Sequence, residues 1–301
     1  MRLAVTRSVL GCVVACALGS GTGAAGSSNG PAPPQPQPRM RTVYASVTAK
    51  DGSPVTDLTA GEVEVKEGGK AREIVSVKPA TVPLRVAILD ADGGTGAFQS
   101  AIGSFMEDLL GRAEFALTSV VVQAQTVLGY SSSVDALNKG LSLLGKRGQP
   151  GGGGQLMDAI QEATKTVRRV GTRPVILVLR TGGEAPSSTS GEEVRDAVRK
   201  SGAILYVVSP AVANRLGDSA FAESSFNLAQ VLGDGTRESG GRHEQIVSTT
   251  QVKVLRQFAD ELLNQYEITY ALPAGDKPGD KISVSSTRKG VTVRAPSRIP
   301  N

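Results

Sequence analysis

Continuous apolar runs and amphipathic stretches alternate through the middle of the chain. LRVAILD (84–90), RPVILVLR (173–180) and AILYVVSP (203–210) carry almost no polar interruption. Such runs are the pattern of strands covered on both faces. Between them, AFQSAIGSFMEDLLGR (97–112) sets Phe98, Ile102, Phe105, Leu109 and Leu110 on one stripe at helical spacing. SSVDALNKGLSLLG (132–145) opens on serines and predicts a helix, as do the stretch following the glycines of residues 151–154 and SGEEVRDAVRKSG (190–202). The acidic first turn of that last segment suits the positive end of a helix dipole. FALTSVVVQAQTVLGY (115–130) predicts one long strand or a hairpin. Strands alternating with helices imply parallel crossover units. Residues 84–264 therefore predict a doubly wound, mostly parallel α/β sheet flanked by helices.

The flanks have a different rhythm. TVYASVTAK (42–50) alternates with period two, EVEVKE (62–67) alternates again, EGGK offers a hairpin turn, and REIVSVK (72–78) follows as a third strand. After a helix over VKVLRQFADELLNQY (252–266), the segments YEITYALPA, DKISVSST and GVTVRA predict three more strands. Forty residues of sheet cannot bury a core alone. The expectation is a small β-module built from residues 41–80 and 265–296 together.

The amino terminus is organised separately. Arg2 and Arg7, the apolar run SVLGCVVACAL and the small residues behind it predict a secretory signal over residues 1–25. Its apolar run is far shorter than the roughly 20 residues of a spanning helix. Residues 26–40 predict a Pro-, Gly- and Ser-rich linker. A second processing route competes: VVAC resembles a bacterial lipoprotein box, with Cys16 lipidated and the following residues as a tether. The expected location is secreted, periplasmic or in the cell envelope, with membrane contact only through an anchor at Cys16.

Composition narrows the chemistry. The formal charge is +5, from 33 basic and 28 acidic residues, and the basic ones are scattered. Aromatics are 4% and tryptophan is absent. No nucleic-acid partner is expected. The two cysteines lie in the amino-terminal segment, so simple cleavage leaves no thiol or cysteine–zinc chemistry. His243 is the one histidine and sits in the polar stretch ESGGRHEQIV, where a solvated surface role is expected. No Gly-x-Ser-x-Gly elbow is present. The acids of ADELLNQYE have the spacing of a solvated helix face. The glycines of GGTG and PGGGG lack the Lys-Ser/Thr of a phosphate loop.

Taken in order, several segments resemble the bacterial von Willebrand factor A-related proteins of the type common in acidobacteria. Residues 47–77, VTAKDGSPVTDLTAGEVEVKEGGKAREIVSV, are similar to the family's amino-terminal stretch. VPLRVAILDADGG (82–94) sits where the family has its first core strand and metal motif. GGGGQLMDAI (151–160) resembles its "GGTALYDAI", VILVLRTGGE (175–184) its "vllvLtDGeD", and GGR (240–242) with QYEITYALP (265–273) its carboxyl-terminal landmarks. The resemblance implies a von Willebrand A-like fold over residues 42–296 and a binding rather than catalytic role. It also implies an adhesion site of Asp-x-Ser-x-Ser with a distant Thr and Asp around one divalent ion. Asp90 matches the first Asp. Asp92 stands for the first Ser, Gly94 for the second, Gly154 for the Thr and Thr181 for the last Asp. The motif is therefore degenerate, and no cofactor is expected, with Mg²⁺ or Ca²⁺ on Asp90 and Asp92 as the alternative. A purely structural reading is that Asp90 caps an element and Asp92–Gly93–Gly94 is a turn.

Ligands of open α/β sheets bind at the carboxyl ends of the strands. Asp90, Thr181 and Ser209 fall at or just past such ends. The leading expectation is a secreted, non-enzymatic module that binds an extracellular or envelope protein through a rim of Asp90, Asp92, Thr95 and Thr181. A lipid-anchored envelope scaffold with a silent rim and an unrecognised hydrolase are the competing readings.

Overall fold

The computed structural model describes residues 37–145, 155–182, 187, 189–211 and 222–298. The signal, linker and Cys16 expectations lie outside the described residues. Gln37–Asn301 forms one compact unit. Among the described residues, no helix is long and apolar enough to cross a membrane.

The central sheet contains β4 (Leu84–Ala91), β5 (Ala113–Val120), β6 (Ala124–Ser131), β7 (Arg173–Arg180), β8 (Ile204–Pro210) and β9 (His243–Ile246), in the order β6-β5-β4-β7-β8-β9. Strands β5, β4, β7, β8 and β9 run parallel. The sheet is nevertheless mixed, because β6 returns antiparallel to β5. A three-residue connection can only make a hairpin, whereas a parallel return needs a long crossover. Helices cover both faces, α2 (Val134–Leu143), α5 (Ala222–Gln230) and α6 (Thr236–Ser239) among them. Val86, Ile88 and Leu177 pack under α1 (Gln99–Asp108) and α7 (Gln251–Leu263), with Phe105, Phe258 and Leu262. Ala87, Leu89 and Val178 pack under α3 (Leu156–Val167) and α4 (Gly191–Ser201), with Ile160 and Val194. Alternate residues of one strand thus serve opposite cores. Of the stripe expected on α1, Leu110 is exposed, because the helix ends at Asp108 and the chain leaves the 3.6-residue period.

The second sheet interleaves the two ends of the unit. It joins β1 (Arg39–Ala49), β2 (Val63–Glu67), β3 (Lys70–Pro79), β10 (Tyr266–Leu272), β11 (Ile282–Ser286) and β12 (Val291–Arg294) in the order β11-β2-β3-β10-β1-β12, antiparallel throughout. Val43, Ala45, Val65 and Ile268 form its core. Period-two alternation is what puts one face of these strands inward.

Buried polar groups tie the two sheets. Arg173, 2% exposed, donates to the carbonyls of Val82 (2.8 Å) and Leu262 (2.9 Å) and to Gln265 Oε1 (2.7 Å). Gln265 in turn donates to Ser46 of β1. Burial lowers the Arg173 guanidinium to about 10, still charged at neutral pH. Glu261 on α7 departs from its expected solvated role. It is 2% exposed and paired with Arg242 and with Arg294 of β12. Helical spacing alone put it on the outside; β12, some thirty residues later in the chain, brings Arg294 against it. Close approach of the backbone also needs Gly241, where a Cβ would stand 2.0 Å from the Leu205 carbonyl oxygen.

Candidate functional site

The strand order reverses about β4: the chain leaves it to build β5 and β6 on one side, then β7, β8 and β9 on the other. A crevice forms at the carboxyl ends of strands flanking such a switch. Here those ends belong to β4 and β7, and they carry Asp90 and Thr181.

Asp90 is the penultimate residue of β4 and is 1% exposed. Its register partners are Ser119 on β5 and Leu179 on β7. Its Oδ1 has no hydrogen-bond partner among the described residues. Burial first, and the neighbouring Asp92 charge second, push its carboxyl up to about 8, against a smaller opposing effect of the Asp92 N–H. The group is thus predominantly protonated at neutral pH. It lies within the strand and caps nothing.

Capping belongs to Asp92. Its Oδ1 accepts the N–H of Gly94 (2.7 Å) and of Thr95 (3.2 Å). Its Oδ2 accepts the Thr95 hydroxyl (3.0 Å) and the N–H of Ala97 (2.6 Å). Both oxygens are therefore spent on the loop that leads into α1. Gly93 and Gly94 have φ of 73° and 78°, a left-handed pair that curls those N–H groups back towards the carboxylate. Asp90 and Asp92 are brought together, but in different roles: one is buried with an unpartnered Oδ1 and the other holds a turn.

Thr95 is exposed, with its hydroxyl turned onto Asp92. Thr181 is exposed just past β7, its N–H directed at the Ala91 carbonyl at 3.4 Å. Gly154 lies outside the described residues. Val122, after β5, and Val247, after β9, are 62% and 58% exposed on the same edge of the sheet. Among the described residues, no group of three or more His, Cys, Asp or Glu is close enough to hold a metal ion.

The pattern of the sequence did not reveal β9. His243, expected at a solvated surface, is half-buried on that strand, and its Nε2 is 2.7 Å from Ser209 Oγ at the end of β8. Burial, reinforced by Arg180, lowers the imidazole, favouring its neutral form. A four-residue strand is too short for alternation to register, so only its parallel pairing with β8 identifies it. Ser209 is 6% exposed, so its contact with the half-buried His243 is a largely buried polar one.

These features define a mixed α/β sheet with an open rim at its carboxyl edge, joined to an antiparallel β-layer. No family model matches the chain, and no curated protein matches it. Solved structures similar to it include the von Willebrand factor type A protein from Catenulispora acidiphila, at 12% identity and a TM-score of 0.48, covering 89% of this chain and 74% of that one. The open conformation of the pilus adhesin SpaC from Lactobacillus rhamnosus GG has 10% identity and a TM-score of 0.48, covering 72% of this chain and 44% of that one. The PilB minor pilin from Streptococcus sanguinis has 11% identity and a TM-score of 0.45, covering 62% of each chain. This chain thus spans less than half of SpaC. Identity at this level carries no site residue across.

Proposed function

We propose that this chain is a secreted, non-enzymatic binding module of von Willebrand A-like, doubly wound type. It holds an extracellular or envelope protein on the rim around Asp90, Asp92, Thr95 and Thr181, where Thr95 and Thr181 are the exposed members and Asp90 and Asp92, 1% and 2% exposed, support them, without a complete metal site. The observation that carries this reading is the state of Asp92. A divalent ion of this class takes oxygen donors, yet both oxygens of Asp92 are engaged by their own loop. Gly94 and Gly154 have no side-chain donor, and Thr181 brings a hydroxyl where the resemblance asks for a carboxylate. What the rim does offer is exposed hydroxyl and apolar surface, including Val122 and Val247, suited to a protein partner.

The test has two arms. Thermal unfolding of the full chain is followed with and without Mg²⁺ or Ca²⁺; no shift is expected. A metal-dependent rise abolished by Asp90→Ala would overturn the metal-free rim. Binding to isolated cell-envelope fractions is compared for the wild type and for the Thr181→Arg and Val122→Asp variants. Binding that both variants retain in full would overturn the rim as the docking surface.

A further inference from the structure

The opposite end of the molecule carries an unpaired strand edge inside a basic cavity. Strand β1 has β10 on one edge along its first half and β12 on the other along its second half: Arg39 to Ala45 pair with β10, and Ser46 to Ala49 pair with β12. The direction of its backbone groups follows from two bonds. The Val47 carbonyl accepts from Val55, and the Ala49 N–H donates to Ser53, both on the β10 side. Neighbouring residues of a strand face opposite edges. Thr42 and Tyr44 therefore direct their N–H and C=O groups away from β10, along the line β12 would occupy if it continued.

It does not continue. In the β1–β12 register the residue opposite Tyr44 would be Pro296, which has no N–H to give. The chain turns off there. The Ser297 N–H donates to the Glu238 carbonyl, and the Ser297 carbonyl accepts from Ile282. Among the described residues, no backbone group pairs with Thr42 or Tyr44 on the open side.

A cavity of about 300 Å³ lies along this open edge, between residues 42–44, the amino-terminal ends of β7 and β8, the last turn of α4 and residues 296–298. Six arginines and a single acid, Glu238, line it. Glu238 is already paired with Arg195. Arg168 bonds only a carbonyl, that of Lys200, and among the described residues no acid pairs with it or with Arg298. Unmet ladder donors and acceptors call for a strand, since a small anion leaves the carbonyls unanswered. The arginines call for acidic side chains on it. Residues 1–38 contain no Asp or Glu, so the chain's own amino terminus does not supply that charge.

We propose that the open edge of β1 is a strand-addition site for an extended acidic segment of a partner protein, with Arg168 and Arg298 receiving its carboxylates. The site is separate from the rim and stands or falls independently of it.

The probe is a short fluorescent peptide of alternating Thr and Glu, titrated against the full chain and read by anisotropy. Saturable binding that weakens with salt is expected. Two control peptides, alternating Thr and Lys, and Thr and Glu with alternate backbone nitrogens methylated, are expected to bind at least about tenfold more weakly. Thr42→Pro removes the outward N–H, along with the exposed 3.4 Å hydroxyl contact to Thr269, and should weaken binding by about tenfold, with Thr42→Ala as the control that loses the hydroxyl alone and keeps the binding. Arg168→Glu combined with Arg298→Glu should do the same through charge, and it keeps the test valid if the proline variant does not fold. No binding of the Thr–Glu peptide, or equal binding of either control peptide, would overturn the proposal. A concentration-dependent dimer lost in Thr42→Pro would overturn it too, assigning the edge to a second copy.

Discussion

Asp92→Asn separates a loop cap from a metal ligand more sharply than any other single change. Asparagine keeps an acceptor where Oδ1 receives Gly94 and Thr95. It places an amide NH₂ where Oδ2 receives Ala97 N at 2.6 Å and the Thr95 hydroxyl at 3.0 Å. The hydroxyl can turn and accept instead; the Ala97 N–H cannot. One charge-assisted bond is lost and one backbone donor is stranded, a cost of about 2–3 kcal/mol. An opposing gain exists, since the Asp92 charge is the second cause of the raised Asp90 carboxyl. Burial is the larger cause, so the relief is on the order of 1 kcal/mol or less. The net expectation is a loss of about 2 kcal/mol, and about 3 kcal/mol for Asp92→Ala, which forfeits all four acceptances. With no tryptophan in the chain, urea unfolding is best followed by far-UV circular dichroism. The loss must appear in metal-free buffer. An Asp92→Asn variant within about 0.5 kcal/mol of wild type, or a loss seen only with Mg²⁺, refutes the loop assignment.

Asp90 gives a pH signature. Its carboxyl is raised to about 8 in the fold from an ordinary value of 3.8, so folding takes up a proton between those values and its contribution to stability declines as pH rises from about 4 to 8. Asp90→Asn should therefore gain on wild type as pH increases, by several kcal/mol between about pH 5 and 8; a pH-independent difference in denaturant midpoint contradicts this. Glu261→Ala leaves Arg242 and Arg294 facing each other beneath α7 and should cost about 3–5 kcal/mol, seen as a large drop in melting temperature; a drop no larger than that of a surface acid such as Glu162 would show the network is dispensable. Gly241→Ala drives a methyl to 2.0 Å from the Leu205 carbonyl and should cost about 3 kcal/mol or more, or abolish soluble expression. Near-wild-type stability would mean that β8 and β9 separate easily.

Local pattern carried the architecture because it depends on neighbours in the chain. Uninterrupted apolar runs marked β4, β7 and β8; helical spacing marked α1; a glycine loop announced α3 and an acidic first turn marked α4; alternation marked the flanking sheet; and an acid followed by two glycines marked a turn at the end of the first core strand. The position of Asp90 at the carboxyl edge follows from that reading alone. What tertiary structure decided were partnerships between residues distant in the chain. Glu261 has the spacing of a solvated face and is buried where β12 brings Arg294 against it. His243 reads as a lone surface residue and meets Ser209 because a four-residue strand pairs with β8. Asp92 offers a carboxylate on paper, and only the folded loop shows that both its oxygens are taken. Pro296 is one proline among sixteen in the sequence, but its register opposite Tyr44 leaves an edge of β1 open. Burial, pairing and register are long-range quantities. Period and turn chemistry report which element a residue belongs to, and only packing reports what it faces.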